Sequence, residues 1–320
     1  MKSIVLICFV FMIFSCSPKG NEITPSQQTC FIGSINTTDG INFSTTKYSY
    51  SLTGLLLQKV DSSNSTISYF SSYTIKQVSY LYDKNDYLKE SQTTLSFFSK
   101  DGKLVEIPSK RVESYMYNPQ GQLIKNEHYG IGQFLSEPAL TDTYDYNNGQ
   151  LTQATLRTSS ETVVISFRSG LPITMTSTPT DPTIQNSSIY EINEQGFVKS
   201  IRFKDVINRQ WLTIRNYDNQ QRLISIETKV DNQNPSKYLV EYDDKKSPET
   251  LVPTLKGFPQ YDLYGKQLNN VIKTSYVENT GNAISTIYEY NNDSYPIKSQ
   301  ITGSTISNPI NYLYTYSMCK

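Results

Sequence analysis

The sequence predicts an all-β fold, a large antiparallel meander of roughly 18–22 strands rolled into one wide barrel. Two observations predict it. A hairpin pattern recurs along the chain: aromatic-x-aromatic, a polar turn, then x-Leu or x-Ile. Its clearest copies are Tyr80-Leu81-Tyr82-Asp83-Lys84-Asn85-Asp86-Tyr87-Leu88 and Tyr115-Met116-Tyr117-Asn118-Pro119-Gln120-Gly121-Gln122-Leu123. In addition, no helical period persists for more than a turn or two. A meander of this length must close, split into two sheets or expose its edges. A two-sheet sandwich or roll is therefore the alternative to the barrel.

Taken from the N-terminus, residues 1–15 read as a lipoprotein signal peptide. Lys2 precedes an apolar run, Ile4 to Phe14, that is too short to span a bilayer as a folded helix. Ser15-Cys16 follows, and the sequence turns polar at once. A small residue directly before Cys resembles a bacterial lipobox, which makes Cys16 the lipidated residue; an ordinary secretory signal cut nearby is the other reading. Residues 16–29, with Pro18, Gly20 and Pro25, read as a flexible tether. Residues 30–320 form one all-β repeat domain.

Within that domain the turn chemistry fits hairpins. Paired aromatics at i and i+2 share one face of a strand. In Asn118-Pro119-Gln120-Gly121, Pro presets φ and Gly supplies the positive φ that closes a type I turn into a bulge. Ser51-Leu52-Thr53-Gly54, Ser99-Lys100-Asp101-Gly102 and Asn193-Glu194-Gln195-Gly196 fit the same frame. Asp218-Asn219-Gln220-Gln221 fits with Gly replaced. Tyr144-Asp145-Tyr146-Asn147-Asn148-Gly149 suits a two-residue Asn-Gly turn.

Of the four cysteines, Cys8 leaves with the signal and Cys16 is lipidated. Cys30 and Cys319 remain, one at each end of the domain. In an oxidising compartment they read as a disulfide, with two buried free thiols as the alternative. The bond would stabilise by about 4–5 kcal/mol on the chain-entropy model, and it would require the first and last strands to meet.

Composition excludes some partners. Twenty-nine basic and 29 acidic side chains leave no basic excess of the kind nucleic acid demands. Strand charges such as Arg111, Glu113, Arg202 and Lys204 argue against a lipid-facing apolar band and thus against a membrane-inserted barrel. No cofactor is implied, and a monomer is expected.

The inventory for catalysis is thin, and no catalytic or metal-binding residue is assigned. The single histidine, His128, reads as a surface or rim residue. Zinc sites need several His or Cys. Asp243 and Asp244 read as part of a turn before Lys245-Lys246. Asp231-Asn232-Gln233-Asn234-Pro235 and Asn291-Asn292-Asp293 read as polar hairpin tips rather than Ca²⁺ loops. The 25 tyrosines fall largely into same-face pairs. Aligned across neighbouring strands they would form an aromatic ladder, with packing the leading role and a ligand-stacking platform the other. The candidates for stacking are Tyr115, Tyr117, Tyr144, Tyr146 and Trp211.

These tyrosine hairpins resemble YD-type repeats. The chain more narrowly resembles a family of Bacteroidetes lipoproteins with a porin-like fold and no assigned function. The lipobox and the late Cys30 carry that likeness. So do Tyr242-Asp243-Asp244-Lys245-Lys246-Ser247-Pro248 with the later Asn269-Asn270, and Tyr288 to Pro296 before the final Tyr-rich strand. The resemblance implies a porin-like β-roll and no known activity. The expected protein is a lipid-anchored lipoprotein of the outer membrane or cell envelope. Its expected role is non-enzymatic binding or interaction, with a glycan or peptide as partner. A carbohydrate-active enzyme using two carboxylates and a structural scaffold are the alternatives.

Overall fold

The computed structural model describes residues 31–39, 42–65, 72–99, 101–105, 108–130, 138–181, 188–204, 209–251, 253–259, 261–265, 268–277 and 283–317. They form twenty strands: β1 (Phe31–Thr38), β2 (Phe43–Tyr50), β3 (Leu56–Ser65), β4 (Ser72–Tyr82), β5 (Leu88–Phe98), β6 (Ser109–Tyr117), β7 (Leu123–Tyr129), β8 (Leu140–Asn147), β9 (Gln150–Arg157), β10 (Glu161–Arg168), β11 (Leu171–Pro179), β12 (Ser188–Ile192), β13 (Val198–Lys204), β14 (Gln210–Tyr217), β15 (Leu223–Val230), β16 (Ser236–Lys246), β17 (Asn269–Tyr276), β18 (Ile284–Tyr290), β19 (Pro296–Gly303) and β20 (Ile310–Ser317). Each pairs antiparallel with the next. β20 pairs with β1 in register from Phe31↔Ser317 to Thr38↔Asn311, so the sheet closes into a barrel without an edge. The barrel stands and the two-sheet alternative falls. Cys16, Cys30 and Cys319 lie outside the described residues. Phe31, next to Cys30, faces Ser317, two residues before Cys319.

One rim holds most of the tight turns, which join an even-numbered strand to the next odd one. Gly121 has φ of 77°, its amide donates to the Asn118 carbonyl at 2.9 Å, and the Asn118 side chain accepts from Gln120 and Gln122 amides. Where the sequence lacks Gly, Asp86 and Gln221 adopt the same left-handed conformation, φ 65° and 67°. Asn148 and Gly149 form the two-residue turn, with positive φ at both, and Ser169-Gly170 repeats it.

Just past these turns the return strand carries a bulge. Leu57, Lys89, Ile124, Ile173, Lys199, Ile224 and Ile297 are each skipped by the register. Repeated round the ring, a bulge bends each hairpin alike and gives the sheet the curvature that closure requires.

Strand alternation then sorts the faces. Val163, Ile165 and Phe167 alternate as buried residues along β10 and join Ala154, Met175 and Val198 in one core cluster. Tyr261, Leu263 and Tyr264, from the connection between β16 and β17, pack on that cluster. This connection identifies the inside of the ring. It begins with a 3₁₀ turn, Pro248–Leu251, whose Leu251 is buried with Tyr295 and Tyr316. Phe258 then packs on Tyr115 and Tyr117, and the Gly257 carbonyl accepts from the Leu123 amide at 2.8 Å. Tyr261 packs on Phe167, the Leu263 carbonyl accepts from Val198, and the Arg215 guanidinium lies 4.7 Å from the Tyr264 ring. The strap thus meets β20, β6, β10, β13 and β14 in circular order before β17 resumes the wall. Such a short segment reaches all these strands only from within the ring.

The opposite face points to water. Cross-strand ion pairs stud it, Lys298 with Glu289 at 2.9 Å, Lys273 with Glu241 at 2.8 Å and Arg202 with Glu191 at 3.3 Å. The sequence-based expectation of a turn at Asp243-Asp244 is corrected. Both lie in β16, where the register runs from Tyr242↔Val271 to Lys246↔Asn269, four residues against two. Asp243 stays in the wall because the Asn270 amide, the Asn270 side chain and the Tyr290 hydroxyl all donate to it.

Candidate functional site

The paired tyrosines do not form a ladder across neighbouring strands. They sit on even-numbered strands, and the strands between carry aliphatic or small residues at the matching level. Instead the last tyrosine of several even-numbered strands, paired or not, locks its hairpin to the one before. Tyr50, Tyr82, Tyr117, Tyr217, Tyr242 and Tyr316 donate their hydroxyls to the carbonyls of Ile32, Leu56, Leu88, Val198, Leu223 and Pro296, at 2.5–2.9 Å. The acceptor sits at or beside the start of the preceding return strand, where a bulge leaves the carbonyl outside the regular ladder. The residue just before the acceptor covers the ring. Phe31 stacks on Tyr50 at 4.8 Å, Tyr87 on Tyr117 at 5.0 Å and Phe197 on Tyr217 at 5.2 Å. In the fifteenth strand's hairpin the cover is a guanidinium, Arg222 over Tyr242 at 4.9 Å. Burial pushes the Tyr82 and Tyr242 hydroxyls up to about 12, so they stay protonated donors.

The five proposed stacking residues are therefore placed as follows. Tyr117 is one of these locks and is covered by Tyr87 and Phe258. Tyr115 donates to Glu113 Oε2 at 2.7 Å, lies 3.2 Å from Ser91 Oγ, and packs on Phe258. Tyr144 packs on the core cluster. Tyr146 is half-buried on the same inner face, and burial raises its hydroxyl to about 12. Trp211 lies at the other end of β14 from Tyr217, with Arg209 5.5 Å from its ring. The four tyrosines share the inner wall near the tight-turn rim, and Trp211 stands apart at the opposite rim. No common flat platform joins them.

A polar site does form on the inner wall, around a residue the sequence placed at the surface. His128 faces Glu113 across the β6–β7 ladder and reaches β8. Its Nε2 is 2.9 Å from Asp142 Oδ2, and its Nδ1 is 3.3 Å from Glu113 Oε1. Arg111 lies beside the ring, 2.7 Å from Nδ1 and 3.0 Å from Glu113. Two protonation patterns compete: a neutral ring accepting from Arg111 at Nδ1, or an imidazolium donating to both carboxylates, which sets two donors, Nδ1–H and the Arg111 guanidinium, against each other. The second balances two cations against two anions. Burial disfavours the charged ring, but the hydrogen bonds and charges of Asp142 and Glu113 outweigh it and hold the pKa up at about 9. Burial likewise opposes ionisation of Glu113, yet His128, Tyr115 and Arg111 bring it down to about 2.

The same face continues toward the other rim. Asp61 accepts from Thr46 and pairs with Lys59 at 3.3 Å. Lys76 sits opposite Asp61 in the register and is exposed. Tyr80 is pushed up to about 12 by burial and by the charges of Asp61 and Glu113, which puts these groups on one wall. The inner wall is thus divided: charged over β3–β8, and mainly apolar over β9–β13, where Glu161 accepts from the buried Ser177 hydroxyl. Arg111 keeps 47% of its side-chain exposure and Asp61 30%, although both point inward. Water therefore enters the barrel from the rim opposite the strap. Glu113, His128 and Asp142 are far apart in sequence, and only the chain's single His hinted at them.

Solved structures similar to this chain include a porin-like protein from Bacteroides uniformis. It has 14% identity, covers 89% of this chain and 96% of its own, and has a TM-score of 0.42. Another is a porin-like protein from Bacteroides vulgatus, with 12% identity, coverage of 90% and 99%, and a TM-score of 0.30. These likenesses concern the fold alone. No protein-family model matches the chain, and no curated protein matches it.

Proposed function

We propose that this is a lipid-anchored envelope protein of the outer membrane whose barrel is a one-ended cup for a polar ligand, a glycan or a peptide. One observation carries the reading: an inward-facing charged wall that remains open to water, above a strap that crosses the other mouth. Anchoring through Cys16 rests on the lipobox-like Ser15-Cys16, and the hairpins keep the YD-type resemblance as a reading of sequence. Binding rather than catalysis is favoured by the charge state of the wall. A glycosidase needs one carboxylic acid held protonated. Glu113 is driven the opposite way, to about 2, and shares His128 with Asp142.

The test is an array of glycans and peptides probed with the chain from Ser17 to Lys320, the wild type against Lys76→Ala/Arg111→Ala. A ligand held by the wild type and lost by the variant supports the cup. No capture on either array overturns it. Separately, Cys16→Ala is expected to release the protein from the membrane fraction, and unchanged retention would refute anchoring there.

A further inference from the structure

We propose that the outward face of β12–β15 binds an acidic polysaccharide in which every second sugar carries a carboxylate. This rests on the reading of the protein as a binding module, but its cations stand on the face of the sheet turned away from the cup. Four side chains form one cross-strand row. Ile189 pairs with Arg202, Arg202 with Leu212 and Leu212 with Lys229. The next row adds Lys204 opposite Gln210. Together they line a groove of about 790 Å³ at the open rim, which also takes in Phe203 and Trp211 and reaches Asp231 and Asn232.

Three features give the groove its chemistry. First, it is lined by three cations against one acid, Asp231, which accepts from the Gln210 amide at 2.8 Å. Among the described residues no carboxylate pairs with Lys204 or Lys229. Arg202 pairs with Glu191 at 3.3 Å, but both side chains are more than half exposed, so the pair exchanges readily for a ligand carboxylate. Second, the cations alternate with aliphatic side chains, and Ile189 is 58% exposed. A pyranose offers such a row apolar C–H faces between its charged groups. Third, the spacing selects the polymer. Arg202 and Lys229, the two cations of the cross-strand row, stand two strands apart, about 10 Å, while Lys204 lies outside the row, two residues along β13. An extended acidic peptide presents same-face carboxylates about 7 Å apart. A polysaccharide with an acid on alternate sugars repeats over a disaccharide and matches the wider interval better.

The experiment is affinity electrophoresis of the chain from Ser17 to Lys320 in gels containing hyaluronan, with dextran as the neutral polymer and polyglutamate as the acidic peptide. The wild type is expected to be retarded by hyaluronan, less so as salt rises. Arg202→Glu/Lys229→Glu should weaken retention at least about tenfold, while a charge-matched control elsewhere on the outer wall, Lys47→Glu/Lys110→Glu, keeps it. All four positions are exposed, and circular dichroism verifies that both variants fold. No retardation by hyaluronan overturns the proposal. So does equal loss in the control, equal retention by dextran, or tighter binding to polyglutamate. Lys76→Ala/Arg111→Ala should leave hyaluronan binding intact, so failure of the cup and failure of the groove are separate results.

Discussion

His128 shows how much one residue's meaning depends on its neighbours. A lone histidine beside a tyrosine on a strand reads as a rim residue. Flanked by Glu113 and Asp142 it ties β6, β7 and β8 together through both ring nitrogens. Its folded pKa of about 9 lies above its ordinary value of 6.5. The resulting stabilisation is full below about pH 6.5 and is lost as pH rises through about 9. Glu113 works in the other sense. Its stabilisation is present above its ordinary 4.5 and is lost as pH falls through about 2. Proton NMR of the single imidazole should therefore show a titration near pH 9 in the wild type and a lower one in Asp142→Asn. A midpoint near 6.5 in the wild type would mean that the ring is neutral and accepts from Arg111.

At the scale of elements, the hairpin and the strap are built on different principles. The hairpin is local. Within nine residues Tyr115 to Leu123 hold the aromatic pair, the turn and the return strand, so the pattern is legible in sequence. Its outward reach is less so. The Tyr117 hydroxyl bonds Leu88 O, 29 positions back, and nothing inside one hairpin announces that bond. The strap is wholly non-local. Gly257 lies against Tyr117 and the Gly121 carbonyl, and Gly265 lies against Tyr217 and the Gln221 carbonyl. A side chain at Gly257, φ 81°, would overlap the Gly121 carbonyl, whereas Gly102, φ 78°, has nothing within 4 Å. Gly102→Ala should thus cost only the left-handed backbone penalty, about 1–2 kcal/mol. Gly257→Ala should lose a further amount of about 1–3 kcal/mol from overlap in a packed site. Urea unfolding of the two variants measures the difference, and equal costs would show that the strap does not seat there. The Asp243-Asp244 turn failed for the same reason: Asn270 and Tyr290 keep that segment in the wall.

The whole molecule is a closed ring, and closure makes its two ends neighbours. Phe31 pairs with Ser317. Intact-mass analysis of the protein is expected to show Cys30 and Cys319 oxidised together. Two free thiols would refute that link while leaving the ring in place. Reducing the bond should lower stability by a few kcal/mol, on the order of 4–5 on the chain-entropy model. The turn types, the strand number and the wide antiparallel sheet were legible in the sequence, because each depends on residues within about one hairpin of one another. Inside and outside were not. Alternation shows that two faces differ, but both faces here mix aliphatic, tyrosine and charged side chains, and a one-residue change of register would exchange them. Only the closed structure, with bulges of one sense round the rim and a strap packed against one face, decided which tyrosines are buried locks. It also decided which charges line the inner wall and which lysines stand on the outer one.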